Sequence, residues 1–267
     1  MKSLQQLMGL QGRVAVITGG AGHLGAAMAE ALAELGCSIC IVDRPSSKPH
    51  ALCEQLRAKW QADAEAFEID LEQEDQRIGL PEQVTRRFAR ADILINNAAL
   101  VGDSTLEGWG VRFEHQQIDT WRRALEVNLT AAFHLSQLLT PMLRSGGKGS
   151  IVNIGSIYGV VGPDQGLYEG TQMGNPAAYA ASKGGVVQMT RWLSSVLSPD
   201  IRVNCISPGG IARGQPEAFA QRYIARTPMG RMGAEEDFKG AIAFFASDLS
   251  SWVTGQNLMV DGGWTAW

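Results

Sequence analysis

The chain has 267 residues, of which 45% are hydrophobic and 19% are charged, and its formal net charge is −4. This length suits one large α/β domain with a substantial core, and the acidic balance disfavours nucleic-acid binding through a basic face. No apolar run is typical of a signal peptide or long enough to span a bilayer, so we expect a cytoplasmic protein that binds neither nucleic acid nor membranes.

Short apolar runs alternate with amphipathic stretches along the whole chain. Most of the runs are continuously apolar, as strands are when helices cover both of their faces. The runs lie at 14–17, 39–42, 66–69, 93–95, 151–154, 203–206 and 258–260, and the amphipathic stretches at 24–35, 50–62, 73–89, 120–143, 177–197 and 235–246. This alternation predicts one α/β domain over residues 1–267, with a seven-stranded parallel sheet and helices on both faces.

A glycine-rich loop follows the first predicted strand. Residues 18–25 read TGGAGHLG and lead into an alanine-rich helix. Glycines in such a loop allow a tight turn and let the backbone approach a pyrophosphate at the helix N-terminus. The positions predicted to bind a dinucleotide are Gly19, Gly22, His23, Leu24 and Gly25.

Asp43 ends the second apolar run, at the right distance from the glycine loop to reach an adenosine ribose. Its carboxylate can accept hydrogen bonds from the ribose hydroxyls and would repel a 2′-phosphate. The sequence therefore predicts NAD as the cofactor and makes NADP the weaker candidate. Arg44 beside it could pair with a phosphate, which leaves the strictness of this preference open.

Small and polar side chains follow the fourth run, where open α/β sheets bind ligands. Asn97, Ala98 and Ala99 would leave room for a cofactor there.

A tyrosine and a lysine lie one helical turn apart in the stretch 177–197. The phenol of Tyr179 ordinarily titrates near pH 10, and the ammonium of Lys183 beside it would favour the phenolate. The pair could therefore transfer protons. Ser156 lies at the end of the fifth run, and Asn128 lies inside the stretch 120–143, where a buried amide needs partners. Asn128 taken alone fits a satisfied core asparagine equally well.

Three irregular segments, at 100–117, 160–176 and 210–230, are predicted to cover a substrate. The second is polar and glycine-rich, with Gln165 and Glu169 available as hydrogen-bond partners, and would suit a hydroxyl-rich sugar derivative. Arginines in or near the third segment could bind a phosphate or carboxylate, or could be solvated helix charges. They are Arg213, Arg222, Arg226 and Arg231.

These motifs together resemble the short-chain dehydrogenase/reductase family of the single-domain type, over nearly the whole chain. The matching positions are Thr18, Gly19, Gly25, Asp70, Asn96–Ala98, Asn128, Ser156, Tyr179, Lys183, Pro208, Gly209 and the ending 253–263. It implies a Rossmann-type, doubly wound sheet and, by family default, a homotetramer.

The resemblance also implies a catalytic set. Tyr179 would be the general acid/base at the substrate oxygen, and Lys183 would lower its pKa and bind the nicotinamide ribose. Ser156 would hydrogen-bond the reacting oxygen, and Asn128 would hold a water that links Lys183 to solvent. Further implied cofactor contacts are Asp70, Leu71, Pro208, Gly209 and Ile211, together with Tyr179 and Lys183 themselves.

Three features depart from the family pattern. His23 replaces the middle glycine of the loop, and Arg213 replaces a threonine that contacts the nicotinamide amide. The interval between Ser156 and Tyr179 is longer than is usual in the family, which places the insertion 160–176 beside the substrate.

The expected activity is that of an NAD-dependent oxidoreductase that interconverts a secondary alcohol and a ketone, with a sugar or polyol derivative as substrate. A 3-oxoacyl carrier-protein reductase and a non-catalytic NAD-binding regulator remain alternatives. The complete set of four catalytic residues disfavours the regulator.

Cys37 and Cys40 form a C-x-x-C pattern, but their thiols would point to opposite faces of a strand. No second pair of cysteines or histidines completes a zinc site, so we expect no bound metal.

Trp252, Trp264 and Trp267 lie near the end of the chain. They would either contact a neighbouring subunit of a homo-oligomer or belong to the chain's own core.

Overall fold

A computed structural model of the chain describes residues 1–101 and 106–267. The strands in these residues form one seven-stranded parallel sheet, in the order β3-β2-β1-β4-β5-β6-β7. They are β1 (Val14–Thr18), β2 (Ser38–Asp43), β3 (Ala64–Glu68), β4 (Ile93–Asn96), β5 (Gly149–Ile154), β6 (Ile201–Pro208) and β7 (Asn257–Val260). The predicted Rossmann-type sheet is therefore confirmed, and its strand order reverses between β1 and β4.

Helices cover both faces of this sheet. They are α1 (Leu4–Met8), α2 (His23–Glu34), α3 (Pro49–Trp60), α4 (Glu74–Phe88), α5 (Ile118–Leu125), α6 (Ala131–Ser145), α7 (Ala177–Leu197), α8 (Glu217–Ala225) and α9 (Lys239–Ala246). One apolar core joins α2, α3 and α9 to the sheet, and a second joins α4, α6 and α7 to the opposite face. Cys37 belongs to the first core and Cys40 to the second, as expected for thiols on opposite faces. No helix in the described ranges is long and apolar enough to cross a membrane.

The predicted helix 120–143 is interrupted. After α5, residues Glu126–Thr130 form a π-helical turn before α6 begins. The extra residue in such a turn shifts the phase of the helical hydrophobic pattern by a single position, which is too small a change to locate the turn from the sequence. Asn128 lies in this turn, a kind of distortion often found at functional sites.

The predicted insertion 160–176 is tied to the C-terminal part of the chain. An aromatic series links Tyr168 to Phe219, Phe219 to Tyr223 and Tyr223 to Trp264, with ring centroids 5.4, 5.9 and 5.7 Å apart. Trp264 is buried and thus belongs to the chain's own core. The other two C-terminal tryptophans, Trp252 and Trp267, have exposed side chains.

Candidate active site

A cleft of about 440 Å³ crosses the carboxyl ends of the strands at the β1/β4 reversal. Most residues that the sequence predicted to bind a cofactor or to act in catalysis line this cleft. They are Gly19, Gly22, His23, Leu24, Gly25, Asp43, Asn97, Ala98, Ala99, Ser156, Tyr179, Lys183, Pro208, Gly209 and Ile211. A second cavity of about 440 Å³ shares part of this lining and adds Asp70 and Leu71. The two cavities therefore form one groove. Residues 102–105, which belong to the predicted covering segment 100–117, lie outside the described residues.

Two positions of the glycine loop, Gly19 and Gly25, have no room for a side chain. Gly19 has φ +60°, and a Cβ there would lie 2.7 Å from the Cα of Ala98. A Cβ on Gly25 would lie 2.2 Å from the carbonyl oxygen of Gly19. Asn97 holds the loop against the end of β4, because its Nδ2 donates to the carbonyls of Thr18 and Gly19 at 3.1 and 2.9 Å. The result is a rigid cradle of backbone at the N-terminus of α2, of the kind that accommodates a pyrophosphate.

Asp43 places a fixed negative charge at the other end of this cradle. Its Oδ2 accepts from the N–H of Ala21 at 3.0 Å, and its Oδ1 accepts from the N–H of Arg44 at 2.8 Å and from Oγ of Ser47 at 2.9 Å. Ser47, which also lines the cleft, was missed by the sequence reasoning because no motif marks it. Arg44 is exposed and lines the second cavity.

Ser156, Tyr179 and Lys183 come together on the other side of the cleft. Oγ of Ser156 accepts from the N–H of Tyr158 at 3.2 Å, and the Ser156 hydroxyl is near enough to the Tyr179 phenol to influence its pKa. The Nζ of Lys183 donates to the carbonyl of Ile154 at 2.8 Å and lies 5.8 Å from the ring centroid of Tyr179. A proton donor or acceptor, a second hydroxyl and a buried amine thus share one small volume.

Burial dominates the electrostatics of this group. It raises the pKa of the Tyr179 phenol, while the nearby Ser156 hydroxyl and the positive charge of Arg213 oppose that shift. Burial also lowers the pKa of Lys183 to about 8. The lowering of the Tyr179 pKa by Lys183 stays a prediction, and the sequence pattern did not include the opposing effect of desolvation.

Asn128 lies behind the cleft and does not line it. Its Oδ1 accepts from the N–H of Leu100 at 2.6 Å, and its Nδ2 donates to Oγ of Ser182 at 3.1 Å. Oγ of Ser182 in turn donates to the carbonyl of Tyr179 at 2.8 Å. Asn128 thus braces the helix that carries Tyr179, and its role in a water relay to Lys183 stays a prediction.

Two of the departures from the family pattern meet at the rim. The side chain of His23 is 72% exposed, with Nδ1 3.9 Å from Oε1 of Glu235, so it does not fill the cradle. Nε of Arg213 lies 3.2 Å from the same carboxylate oxygen, and Arg213 lines the cleft.

A glycine cradle and a cluster of ionisable side chains that open onto one cleft at the switch point of a parallel sheet are the features expected of an NAD(P)-dependent oxidoreductase of Rossmann type. The family model described as enoyl-(acyl carrier protein) reductase matches residues 19–265. The 3-oxoacyl-[acyl-carrier-protein] reductase of Thermotoga maritima is 32% identical over 263 residues, which cover 96% of this chain and 99% of that protein. The chain belongs to the short-chain dehydrogenase/reductase family.

Solved structures agree with this assignment. One is a gluconate 5-dehydrogenase from Burkholderia cenocepacia J2315 in complex with NADP and tartrate, which is 29% identical in sequence. Its structure superposes with a TM-score of 0.87, over 99% of this chain and 100% of the gluconate 5-dehydrogenase. An NAD⁺-bound xylitol dehydrogenase is 31% identical with a TM-score of 0.84, over 95% of this chain and 99% of its own. Relatives of this fold thus bind either nicotinamide cofactor.

Proposed function

We propose that this protein is an NAD-dependent oxidoreductase that interconverts a secondary alcohol and a ketone, with a sugar or polyol derivative as its substrate. The observation that carries the proposal is the shared cleft, in which Ser156, Tyr179 and Lys183 face a glycine cradle whose far end holds the Asp43 carboxylate. The dehydrogenases of gluconate and xylitol among its structural relatives support a hydroxyl-rich substrate. We also propose that the protein works in the cytoplasm.

The cleft suits a dinucleotide, because the close packing of Gly19 and Gly25 against neighbouring backbone fixes the loop at the N-terminus of α2, where a pyrophosphate would bind. Asp43 would bind the adenosine ribose hydroxyls and Asp70 and Leu71 would border the adenine. Bound NAD supplies the hydride acceptor or donor. Lys183 would bind the second ribose from within the cleft.

The chain's own residues handle the proton. In the oxidation, the phenolate oxygen of Tyr179 accepts the proton of the substrate hydroxyl, and in the reduction the phenol returns it. Ser156 donates a hydrogen bond to the reacting oxygen, since its hydroxyl already lies beside that of Tyr179. Asn128 keeps the Tyr179 turn of α7 in position through Ser182.

The proposal is tested by following NADH formation with a panel of sugars, polyols and hydroxy acids. We expect at least one secondary alcohol to be oxidised with NAD. The proposal fails if no alcohol or ketone in the panel reacts with either cofactor, which would favour an NAD-binding regulator.

A second candidate is a 3-oxoacyl carrier-protein reductase, which the Thermotoga relative favours. It predicts rapid reduction of an acetoacetyl thioester with NADPH. The Asp43 carboxylate and the polar insertion 160–176 disfavour it, so we expect this substrate to react more slowly than the best polyol.

We further propose a homotetramer. Large apolar side chains are exposed on α7, at Trp192 and Val196, and at the sheet edge formed by β7, at Leu258 in the strand and Trp252 just before it. Exposed apolar side chains on two separate elements are typical of two association surfaces. Light scattering should give the mass of a tetramer, and a monomeric mass would contradict this.

A further inference from the structure

Three of the four arginines that the sequence placed near the substrate are occupied by protein partners. Arg222 donates to two backbone carbonyls of the insertion, and Arg226 pairs with Asp164. Arg231 makes a bidentate pair with Asp237, with distances of 2.7 and 2.8 Å. These three cations therefore hold the fold together and are not available to a ligand.

Arg213 differs from them in its surroundings. Only its Nε is engaged, with Glu235 at 3.2 Å, and within residues 1–101 and 106–267 its two Nη groups have no hydrogen-bond partner. It lines the same cleft as Ser156 and Tyr179, and its charge is felt at the Tyr179 phenol. A guanidinium with two free NH2 groups at the rim of a candidate catalytic cleft is a fork that matches the oxygens of an anion.

The backbone around Arg213 is held on both sides. Its N–H donates to Oε1 of Gln215 at 2.7 Å, and Nε2 of Gln215 donates to the carbonyl of Ile211 at 2.7 Å. The N–H of Ala212 donates to the carbonyl of Gly233 at 2.9 Å. Because the main chain and the Nε edge are both fixed, the Arg213 guanidinium should lose little conformational entropy when it binds an anion.

We infer that Arg213 binds a carboxylate of the substrate, so that the alcohol oxidised at Tyr179 is a hydroxy acid such as a sugar acid. This rests on the proposed function, whose substrate class it narrows. The fork would also suit phosphoryl oxygens, which a phosphorylated substrate or the dinucleotide itself could supply. The glycine cradle at the N-terminus of α2 would already bind the pyrophosphate of the dinucleotide. The anion at Arg213 is therefore assigned to the substrate.

The experiment compares wild type, Arg213→Gln and Arg213→Lys with gluconate, its neutral counterpart sorbitol and 6-phosphogluconate. Wild type should prefer gluconate to sorbitol. Arg213→Gln should lower kcat/KM for gluconate by about 30-fold and for sorbitol by less than about 3-fold, as expected for the loss of one charged hydrogen-bonded pair. Arg213→Lys should restore part of the loss. Arg122→Gln, on the exposed face of α5, serves as the control and should change neither value.

The affinity for NADH, measured by fluorescence, shows whether the anion that Arg213 binds belongs to the substrate or to the dinucleotide. We expect Arg213→Gln to change the NADH dissociation constant by less than about 3-fold. A loss of NADH binding with an unchanged preference for acids would assign Arg213 to the cofactor and overturn the inference. A preference for 6-phosphogluconate that Arg213→Gln removes would assign it to a substrate phosphate and overturn the carboxylate.

The substrate panel separates this inference from the proposed function. Oxidation of neutral polyols but of no hydroxy acid by wild type would overturn the inference and leave the proposed function in place. Oxidation of no alcohol at all would overturn both.

Discussion

The two halves of the cleft are built in different ways. The cofactor half, the part of the cleft that we propose binds NAD, is made of backbone at strand ends, fixed by contacts such as Asn97 to Thr18 and Gly19. The substrate half, which we propose is covered by the segments 160–176 and 210–230, is supported by side-chain contacts between distant parts of the chain, such as the pair of Asp164 and Arg226. Backbone at a strand end has one geometry that the sheet sets, whereas a side-chain contact between loops changes with either partner. The cofactor half should therefore tolerate few substitutions, and the substrate half should allow specificity to change without loss of the fold.

The largest effect should come from the cofactor half. In Gly25→Ala the new Cβ would lie 2.2 Å from the oxygen of Gly19 and 2.8 Å from the Cα of Gly20, so the backbone must shift. We expect NADH affinity, measured by fluorescence, to fall by at least about 100-fold, and stability to urea to fall by about 1–3 kcal/mol. The matched control is Gly240→Ala in α9, where a Cβ meets nothing within 4 Å. Unchanged NADH binding in Gly25→Ala would contradict the rigid cradle.

The pH dependence should reflect the Tyr179 phenol. Because burial raises its pKa, the protonated form prevails at neutral pH. Reduction, which uses the phenol proton, should then be favoured near neutral pH, and oxidation, which needs the phenolate, should rise up to about tenfold per pH unit on the alkaline side. The measurement is kcat/KM in both directions from roughly pH 6 to 10. An oxidation rate that does not change over this range would rule out Tyr179 as the titrating base.

Cofactor choice should depend on one charge in the cofactor half. We expect wild type to bind NADH at least about tenfold more tightly than NADPH, or about 1.4 kcal/mol. Asp43→Asn should bring the two affinities within about 3-fold of each other, because the carboxylate that repels a 2′-phosphate is gone. Equal affinities in wild type would contradict the argument that Asp43 selects NAD.

The smallest effect should come from the substrate half. In Asp164→Asn, one of several contacts between the insertion and the region of α8 is lost, and both partners of the pair are partly exposed, at 34% and 43%. Stability should change by less than about 1 kcal/mol, and KM for the substrate should rise about 2- to 5-fold with unchanged NADH affinity. Asp119→Asn, which removes a more exposed pair with Arg122, should alter neither quantity. A fall in NADH affinity in Asp164→Asn would show that the halves are coupled.

The same contrast explains what could be read from the sequence. The strands, the glycine loop and Asp43 were predictable because each is encoded by a few consecutive residues with strict backbone needs. Even there the limits of β3 were displaced, from the predicted 66–69 to Ala64–Glu68.

The substrate half was not predictable in the same way. The aromatic series from Tyr168 to Trp264 joins residues far apart in the chain, and no local pattern encodes such packing. The four arginines looked alike in the sequence, and only their partners in space separate Arg213 from the others. The sign of the Tyr179 pKa shift likewise depends on burial, which a motif does not contain.

Nucleotide binding and proton transfer should be separable within the cleft. Tyr179→Phe separates them, because it removes one oxygen atom and keeps the ring. NADH affinity should stay within about 3-fold of wild type, while turnover of the best alcohol should fall by at least about 1,000-fold. Turnover within about tenfold of wild type, with NADH still bound, would rule out Tyr179 as the group that transfers the proton.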